Sequence, residues 1–172
     1  MRRFVISTLL LCTLLGSGCD QENTANSTST SSFDTRFAIT FGGKETRLQV
    51  ALTDLERTRG LMGRRALAPD EGMLFVFSSD EQRGFWMRNV PINISLGYLT
   101  ADGRLDEIKA LYAEDPSTVP SRSDRIRYVI ELPEGWFEKN HITPGAQLDL
   151  PAVRAAISAR GFSPEKFLPA GQ

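Results

Sequence analysis

Cysteine is nearly absent. The chain of 172 residues has two, Cys12 and Cys19, both close to its start. Beyond Cys19 no internal disulfide can form, so a domain exported to an oxidising compartment must be stabilised by its core alone. Histidine is scarcer still, with His141 standing alone. A cysteine nucleophile, a G-x-S-x-G elbow and a glycine-rich phosphate loop of recognised spacing are all missing, which leaves thiol, serine-hydrolase and nucleotide chemistry without their usual parts. An excess of one charge is lacking too: 20 Lys and Arg face 21 Asp and Glu, for a net charge of −1. Without a basic surplus, nucleic acid is not expected as a partner. No cofactor motif is present, and there is no internal repeat, heptad run or second domain.

What is there begins with an address. Arg2 and Arg3 form a basic start, Phe4 to Leu15 is an apolar stretch, and Gly16-Ser17-Gly18-Cys19 closes it with small residues. Residues 1–18 read as a secretory signal peptide, too short and wrongly flanked to span a membrane. Small residues ending on a cysteine look like a bacterial lipoprotein signal, with cleavage before Cys19 and a lipid on its thiol. Gly16 stands where leucine is usual, with Leu15 one place earlier; an ordinary signal cleaved near Gly18 is the alternative. By resemblance to Gram-negative sorting rules, Asp20 favours retention at the inner membrane. The stretch "DQENTANSTSTSS" at 20–32 has one apolar residue, Ala25. It cannot bury enough surface to offset chain entropy and reads as a flexible tether. The expected organisation is a signal at 1–18, a lipidated cysteine and Ser/Thr-rich tether at 19–32, and a single domain at 33–172. Such a protein is exported and faces the periplasm, with the membrane as its partner through the lipid on Cys19. Loss of Arg2 and Arg3 would shift its net charge from −1 to −3.

The domain reads as mainly β. "RFAITF" and "KETRLQVAL" form a hairpin around Gly42-Gly43. Thr53 lies three residues before Glu56, the spacing of a capping box, so a short helix is predicted from Asp54 to Arg59, ending at Gly60. The continuous apolar run at 72–77 predicts a strand covered on both faces. From Ile92 the period is two, with Ile92, Ile94, Leu96 and Tyr98 on one side and Asn93, Ser95 and Gly97 on the other. Further strands are predicted at 104–112, 126–132 and 146–150, a helical turn at 133–140, and a helix at 151–160 with proline at its start and glycine at its end. Residues 113–125 form a long polar connection. The pattern predicts an antiparallel β-sandwich or barrel with one or two short helices and a C-terminal helix.

Several pieces together carry a resemblance: Arg57, Gly60-Leu61-Met62, Gly72-Met73-Leu74-Phe75, Phe85-Trp86-Met87-Arg88-Asn89, Glu131-Leu132 and Gly135-Trp136. In combination over about residues 45–150, the chain resembles the bacterial and archaeal family called domain of unknown function 192. The resemblance implies a jelly-roll-like β-sandwich and no particular activity. Where the family often carries Pro-Leu-Asp, this chain has Asn93-Ile94-Ser95, so any activity resting on that aspartate would be missing. The helix at 151–160 and the tail after it are additional to the family core.

Three uses of the domain can be weighed. The small, polar strand face of Asn93, Ser95 and Gly97 leaves room for a ligand, and a glycine in a strand often marks a close approach. Trp86 or Trp136 could wall such a cleft while Asn89 and Arg57 fix orientation, making a binding module for a small polar ligand, glycan or partner protein. The bland alternative covers that face with the 113–125 connection. A second use is a weak hydrolase acting on envelope material through Glu131, which stands mid-strand; the plainer reading of that residue is an ion pair with Arg57 or Arg59. A third is Cu(I) handling by Met62, Met73 and Met87 with Trp86 and His141, since thioether and imidazole are soft ligands. The plainer reading there is core packing.

Overall fold

The computed structural model describes residues 30–168. The signal peptide, Cys19, Asp20 and most of the tether lie outside the described residues. Among the described residues no helix is long and apolar enough to cross a membrane.

The fold is mainly β. Strands β1 (Phe37–Phe41), β2 (Lys44–Ala51), β3 (Glu71–Glu81), β5 (Ile94–Thr100), β6 (Leu105–Leu111) and β8 (Ile126–Pro133) form one sheet in the order β1-β2-β3-β8-β5-β6. The short β4 (Gly84–Phe85) and β7 (Val119–Pro120) pair separately. Helix α1 (Asp54–Arg59) follows β2, α2 (Trp136–Lys139) follows β8, and α3 (Leu150–Ala159) follows the strands. A single 3-10 turn at Pro164–Lys166 comes after α3.

Local chemistry accounts for several of these elements. The β1–β2 hairpin turns at Gly42 and Gly43, both with positive φ. Thr53 caps α1 by accepting from the Glu56 N–H, and the Glu56 carboxylate returns to the Leu52 and Thr53 N–H groups at 2.8 and 3.1 Å. Gly60, at φ 44°, ends the helix. Asp149 caps α3 on the Ala152 N–H, and Pro151 sits in its first turn.

Two details differ from the sequence expectation. The β2–β3 pair is parallel, whereas every other pair in the sheet is antiparallel. A parallel pair needs a crossover of a dozen or more residues, and residues 52–70, with α1, supply it. Residues 146–150 do not form a regular strand. The segment instead stitches the two sheet edges together: Gly42 donates to the Gln147 carbonyl on one side, and Leu148 donates to the Gly103 carbonyl on the other, at 2.8 and 2.9 Å. The sheet therefore curls toward a barrel without closing as one.

Both sheet faces are buried, against different neighbours. Leu74, Val76, Tyr128, Ile130 and Leu132 point into a core completed by Trp136, Phe137, Val153 and Ile157 of α2 and α3. Met73, Phe75, Leu96, Tyr98 and Val129 point the opposite way, into a second core that includes Leu61, Met87 and Val90. Arg160, just past α3, ties that helix to the rest: its Nη1 donates to the Val50 carbonyl at 2.5 Å and its Nη2 pairs with Glu56.

Candidate functional site

A pocket of about 450 Å³ opens on the second face, between α1 and residues 82–90. Its volume lies in the range of small-molecule sites. Three features of the chain build it.

The first is an irregularity in β3. Val76 stands opposite Tyr128 and Glu81 opposite Ile126, so Phe77 to Asp80 face Arg127 alone on β8. The bulge turns the strand and sends Phe77 into the pocket wall, as bulges near sites commonly do. Arginines hold it open. Arg57 Nη1 donates to the Leu52 and Val76 carbonyls at 2.7 and 3.0 Å, and Arg83 Nη2 donates to the Ser79 carbonyl at 2.5 Å. Both guanidinium groups lie over the Phe77 ring, at 5.0 and 3.9 Å from its centre.

The second is the anchoring of residues 83–87 on the 113–121 connection. Arg83 and Ser121 exchange hydrogen bonds, the Met87 N–H donates to the Asp115 carbonyl at 2.9 Å, and Tyr98 Oη donates to the Val119 carbonyl at 2.7 Å. Phe85 packs edge-on against Phe75, with ring centres 4.9 Å apart, and Met87 is buried. Trp86 between them points outward, 45% exposed, with Arg88 over its ring.

The third is Glu131. On β8 its cross-strand neighbours are Met73 and Leu96, so the carboxyl enters an apolar face. It lines the pocket yet is only 5% exposed, and its Oε2 atom has no hydrogen-bond partner. Burial alone pushes its pKa up to about 8, because a carboxylate moved out of water without a partner favours its neutral form. The ion pair with Arg57 or Arg59 expected from the sequence does not form. Arg57 is held by Asp54 and two carbonyls, and Arg59 lies over Phe33.

Gly72 brings this carboxyl's strand into place. A Cβ there would stand 2.1 Å from the Glu131 carbonyl oxygen, so only glycine lets β3 and β8 approach at this point.

The remaining residues singled out in the sequence divide. Arg57, Trp86, Glu131 and Met62 line the one pocket. Met73 and Met87 are 0% and 1% exposed within the second core, and His141 lies in the turn ending α2, so the structure does not present them as a common set of ligands. Asn89 lies in a separate open cleft with Gly63, Arg65, Pro91 and Glu114. Its φ is 60°, a conformation asparagine tolerates better than most residues, and its carbonyl accepts from the Gly63 N–H at 2.8 Å.

Asn93, Ser95 and Trp136 are not brought to the pocket either. Both ends of the Asn93 amide are engaged, with Glu134 and the Ala113 N–H. Ser95 is buried on the opposite face and accepts from the Gly135 N–H at 2.9 Å. Trp136 is buried in the first core, stacked on Phe41. The expected small-residue cleft is filled: a Cβ on Gly97 would crowd Leu105, Ile130 and Phe137 at 2.9 to 3.0 Å. Neither a ligand nor the 113–125 connection occupies that space; α2 does.

Sequence reasoning missed Arg83, Arg88, Phe77 and Phe85 as pocket residues. The available signal was the pair of arginines bracketing Phe85-Trp86, since guanidinium groups stack on aromatic rings.

A curled mixed sheet with a ligand-sized pocket beside its central strands is thus the class of protein in hand. The family of uncharacterized proteins called domain of unknown function 192 matches residues 37–150, and the chain belongs to it. Two solved structures are similar. One is a provisionally named transcription regulator from Sinorhizobium meliloti 1021, and the other a protein of unknown function from Novosphingobium aromaticivorans DSM 12444. Each is 27% identical, with a TM-score of 0.63 over 66% of this chain, covering 92% and 84% of their own lengths respectively. No curated protein matches.

Proposed function

We propose that this chain is an exported, membrane-tethered binding module whose pocket between α1 and residues 82–90 takes a small ligand. The single observation that carries the reading is Glu131: a buried carboxyl with an unpartnered oxygen, on a residue that lines the cavity. Leaving such a group unsatisfied costs about 1–3 kcal/mol or more, which a ligand would recover. The walls supply apolar contact through Leu61, Phe75 and Trp86, and the exposed Arg59 and Arg88 give the mouth a positive character. Tethering rests on the run of small residues into Cys19, with Asp20 favouring the inner membrane.

Hydrolysis of envelope material with Glu131 as general acid is the second reading, favoured by that residue's raised proton affinity. Against it, the other carboxylate lining the pocket, Asp54, is exposed and paired with Arg57 at 2.5 Å. No serine, cysteine or histidine among the described residues lines it.

Thermal melting of the full-length chain in mild detergent, against cell-wall fragments, oligosaccharides, small acids and amines, tests the binding reading. A ligand held only by the folded state adds about 2.7 kcal/mol at a hundredfold excess over its Kd. The stabilisation should vanish in Trp86→Ala and persist in Asn93→Ala. Turnover of a bound compound, lost in Glu131→Gln, would replace binding with catalysis. A panel without effect on wild type would overturn the pocket reading.

A further inference from the structure

The floor and the mouth of the pocket make opposite electrostatic demands. At the floor stands an acidic group without a partner, between Met73 and Leu96. At the mouth, Arg59 and Arg88 are exposed and make ring contacts, with Phe33 and Trp86, but no ion pair among the described residues. Resting on the binding reading above, we propose that the ligand is a small dipolar molecule, with an ammonium group directed at the Glu131 carboxylate and an acidic group met by Arg59 and Arg88.

Each simpler ligand leaves one of these demands unmet. A plain anion would satisfy the mouth and leave the floor carboxyl without a charge partner. A plain cation would meet Glu131 but leave the exposed guanidinium groups of Arg59 and Arg88 without a counter-charge, beside Arg57 and Arg83 further in. A neutral apolar molecule would seal the carboxyl under a surface that offers it no hydrogen bond, at the full desolvation cost. A dipolar ligand entering cation first satisfies both ends. The walls suit that orientation. Phe77 already carries Arg57 and Arg83 over its ring and Trp86 carries Arg88, so these rings face positive charge without penalty.

Binding of this kind moves a proton. In the empty pocket Glu131 favours its neutral form because burial disfavours the carboxylate. An adjacent ammonium favours the ionised form, so the Glu131 proton leaves to solvent as the ligand enters. The charged and titratable groups around Glu131 are Tyr98 from β5, with Glu107 of β6 beside it, and, sharing the pocket lining, Asp54, Arg57 and Arg59 from α1 and Arg83 and Arg88 from residues 82–90. β3 contributes only Phe75 and Phe77 to the lining. Tyr98 is held neutral by its own burial, so the proton released at neutral pH comes from Glu131.

Three probes of one length separate the possibilities: 6-aminohexanoate, hexanoate and hexylamine, titrated calorimetrically at pH 7 into the full-length chain in mild detergent. Each is measured in two buffers of different ionisation heat, which counts protons released. The expected result is that 6-aminohexanoate binds at least about tenfold tighter than either single-ended probe, with release of about one proton per ligand. Glu131→Gln should remove the proton release and weaken this probe at least about tenfold, while leaving hexanoate unchanged. The double variant Arg59→Ala, Arg88→Ala should weaken it and keep the proton release. Hexanoate binding as tightly, without proton release, would overturn the dipolar ligand while leaving the pocket reading in place. Hexylamine binding as tightly would overturn the role of the two arginines. Binding of none of the three, with an unmoved melting temperature, would overturn both the dipolar ligand and the pocket reading.

Discussion

The two faces of the central sheet both bury aromatic rings, but only one is closed over by helices. On the first, α2 and α3 fill the surface. Gly97 makes room for Phe137, Trp136 stacks on Phe41, and Ser95 satisfies the Gly135 N–H. On the second, the crossover after β2 and the segment 82–90 stop short of one another, and the gap is the pocket. A second contrast lies within the second face itself, where Glu107, paired with Tyr98 across β5 and β6, shares that face with Glu131. Glu107 is 2% exposed, and Glu56 is half-buried; burial works to raise both pKa values. It is outweighed for Glu107 by the Arg122 backbone N–H, Lys109 and the Arg122 side chain, and for Glu56 by the Leu52 and Thr53 N–H groups and Arg160. Both groups therefore end below the ordinary range. Glu131 has burial and nothing to oppose it, and ends far above. In this fold a buried acid is a structural device where donors surround it, and a binding group where they are withheld.

The largest effect is expected at Gly72. With a Cβ 2.1 Å from the Glu131 carbonyl, Gly72→Ala must push β3 and β8 apart, at a cost of about 3 kcal/mol or more in urea denaturation. A value near zero would mean the two strands are not held as closely as described.

Next come the two acids, whose neutralisation should act in opposite directions. Glu107→Gln removes the charge that holds Arg122 and Lys109 and should cost about 2 kcal/mol at pH 7. Glu131→Gln should stabilise the protein at pH 8. The sign follows from linkage. A carboxyl with a folded pKa near 8 and an ordinary unfolded value takes up a proton on folding throughout that interval. Stability therefore falls as pH rises from about 4.5 to about 8, and the cost is complete above that. The shift corresponds to roughly 5 kcal/mol at one pKa unit per about 1.4 kcal/mol. A glutamine amide is also left without a partner at every pH, so a net gain of about 2 kcal/mol or more at pH 8 is expected, turning to a net loss below pH 4.5. Melting curves of both variants from pH 4 to 8.5 check this. Glu56 and Glu107 behave conversely: their stabilising contribution is present above the ordinary carboxylate range and is lost as pH falls through their lowered values.

Smaller effects sharpen the rim. Arg57→Ala leaves the Leu52 and Val76 carbonyls without their donor and should cost about 1–2 kcal/mol. Asn89→Gly should be within about 0.5 kcal/mol of neutral, since its backbone already occupies the left-handed region, whereas Asn89→Val should cost about 1–3 kcal/mol. Equal effects for the two Asn89 changes would contradict a conformational role.

What was legible in the sequence was mostly local. The Thr53–Glu56 box and Gly60 bound α1 as read, because a cap is a short-range hydrogen-bond pattern. The Gly42-Gly43 hairpin and the alternation from Ile94 to Tyr98 were equally local. The alternation showed which side chains share a face but not what covers it, so Ser95 and Gly97 looked open when α2 fills their side. The parallel β2–β3 pair depends on where a long crossover lands, and residues 146–150 depend on two distant edges meeting; neither leaves a local mark. Within the site, Glu131, Arg57 and Trp86 could be picked out one by one. Their convergence required the β3 bulge, and the absence of a partner for Glu131 is a property of three strands and a loop together.

The most direct measurement of the central claim is the titration of the Glu131 carboxyl carbon by NMR in the ligand-free protein, assigned against Glu131→Gln. A midpoint near 8 is expected from an acid buried with no donor. A midpoint at or below the ordinary glutamate value of about 4.3 would mean that a donor already satisfies the group, and would contradict its standing as an unfilled binding position.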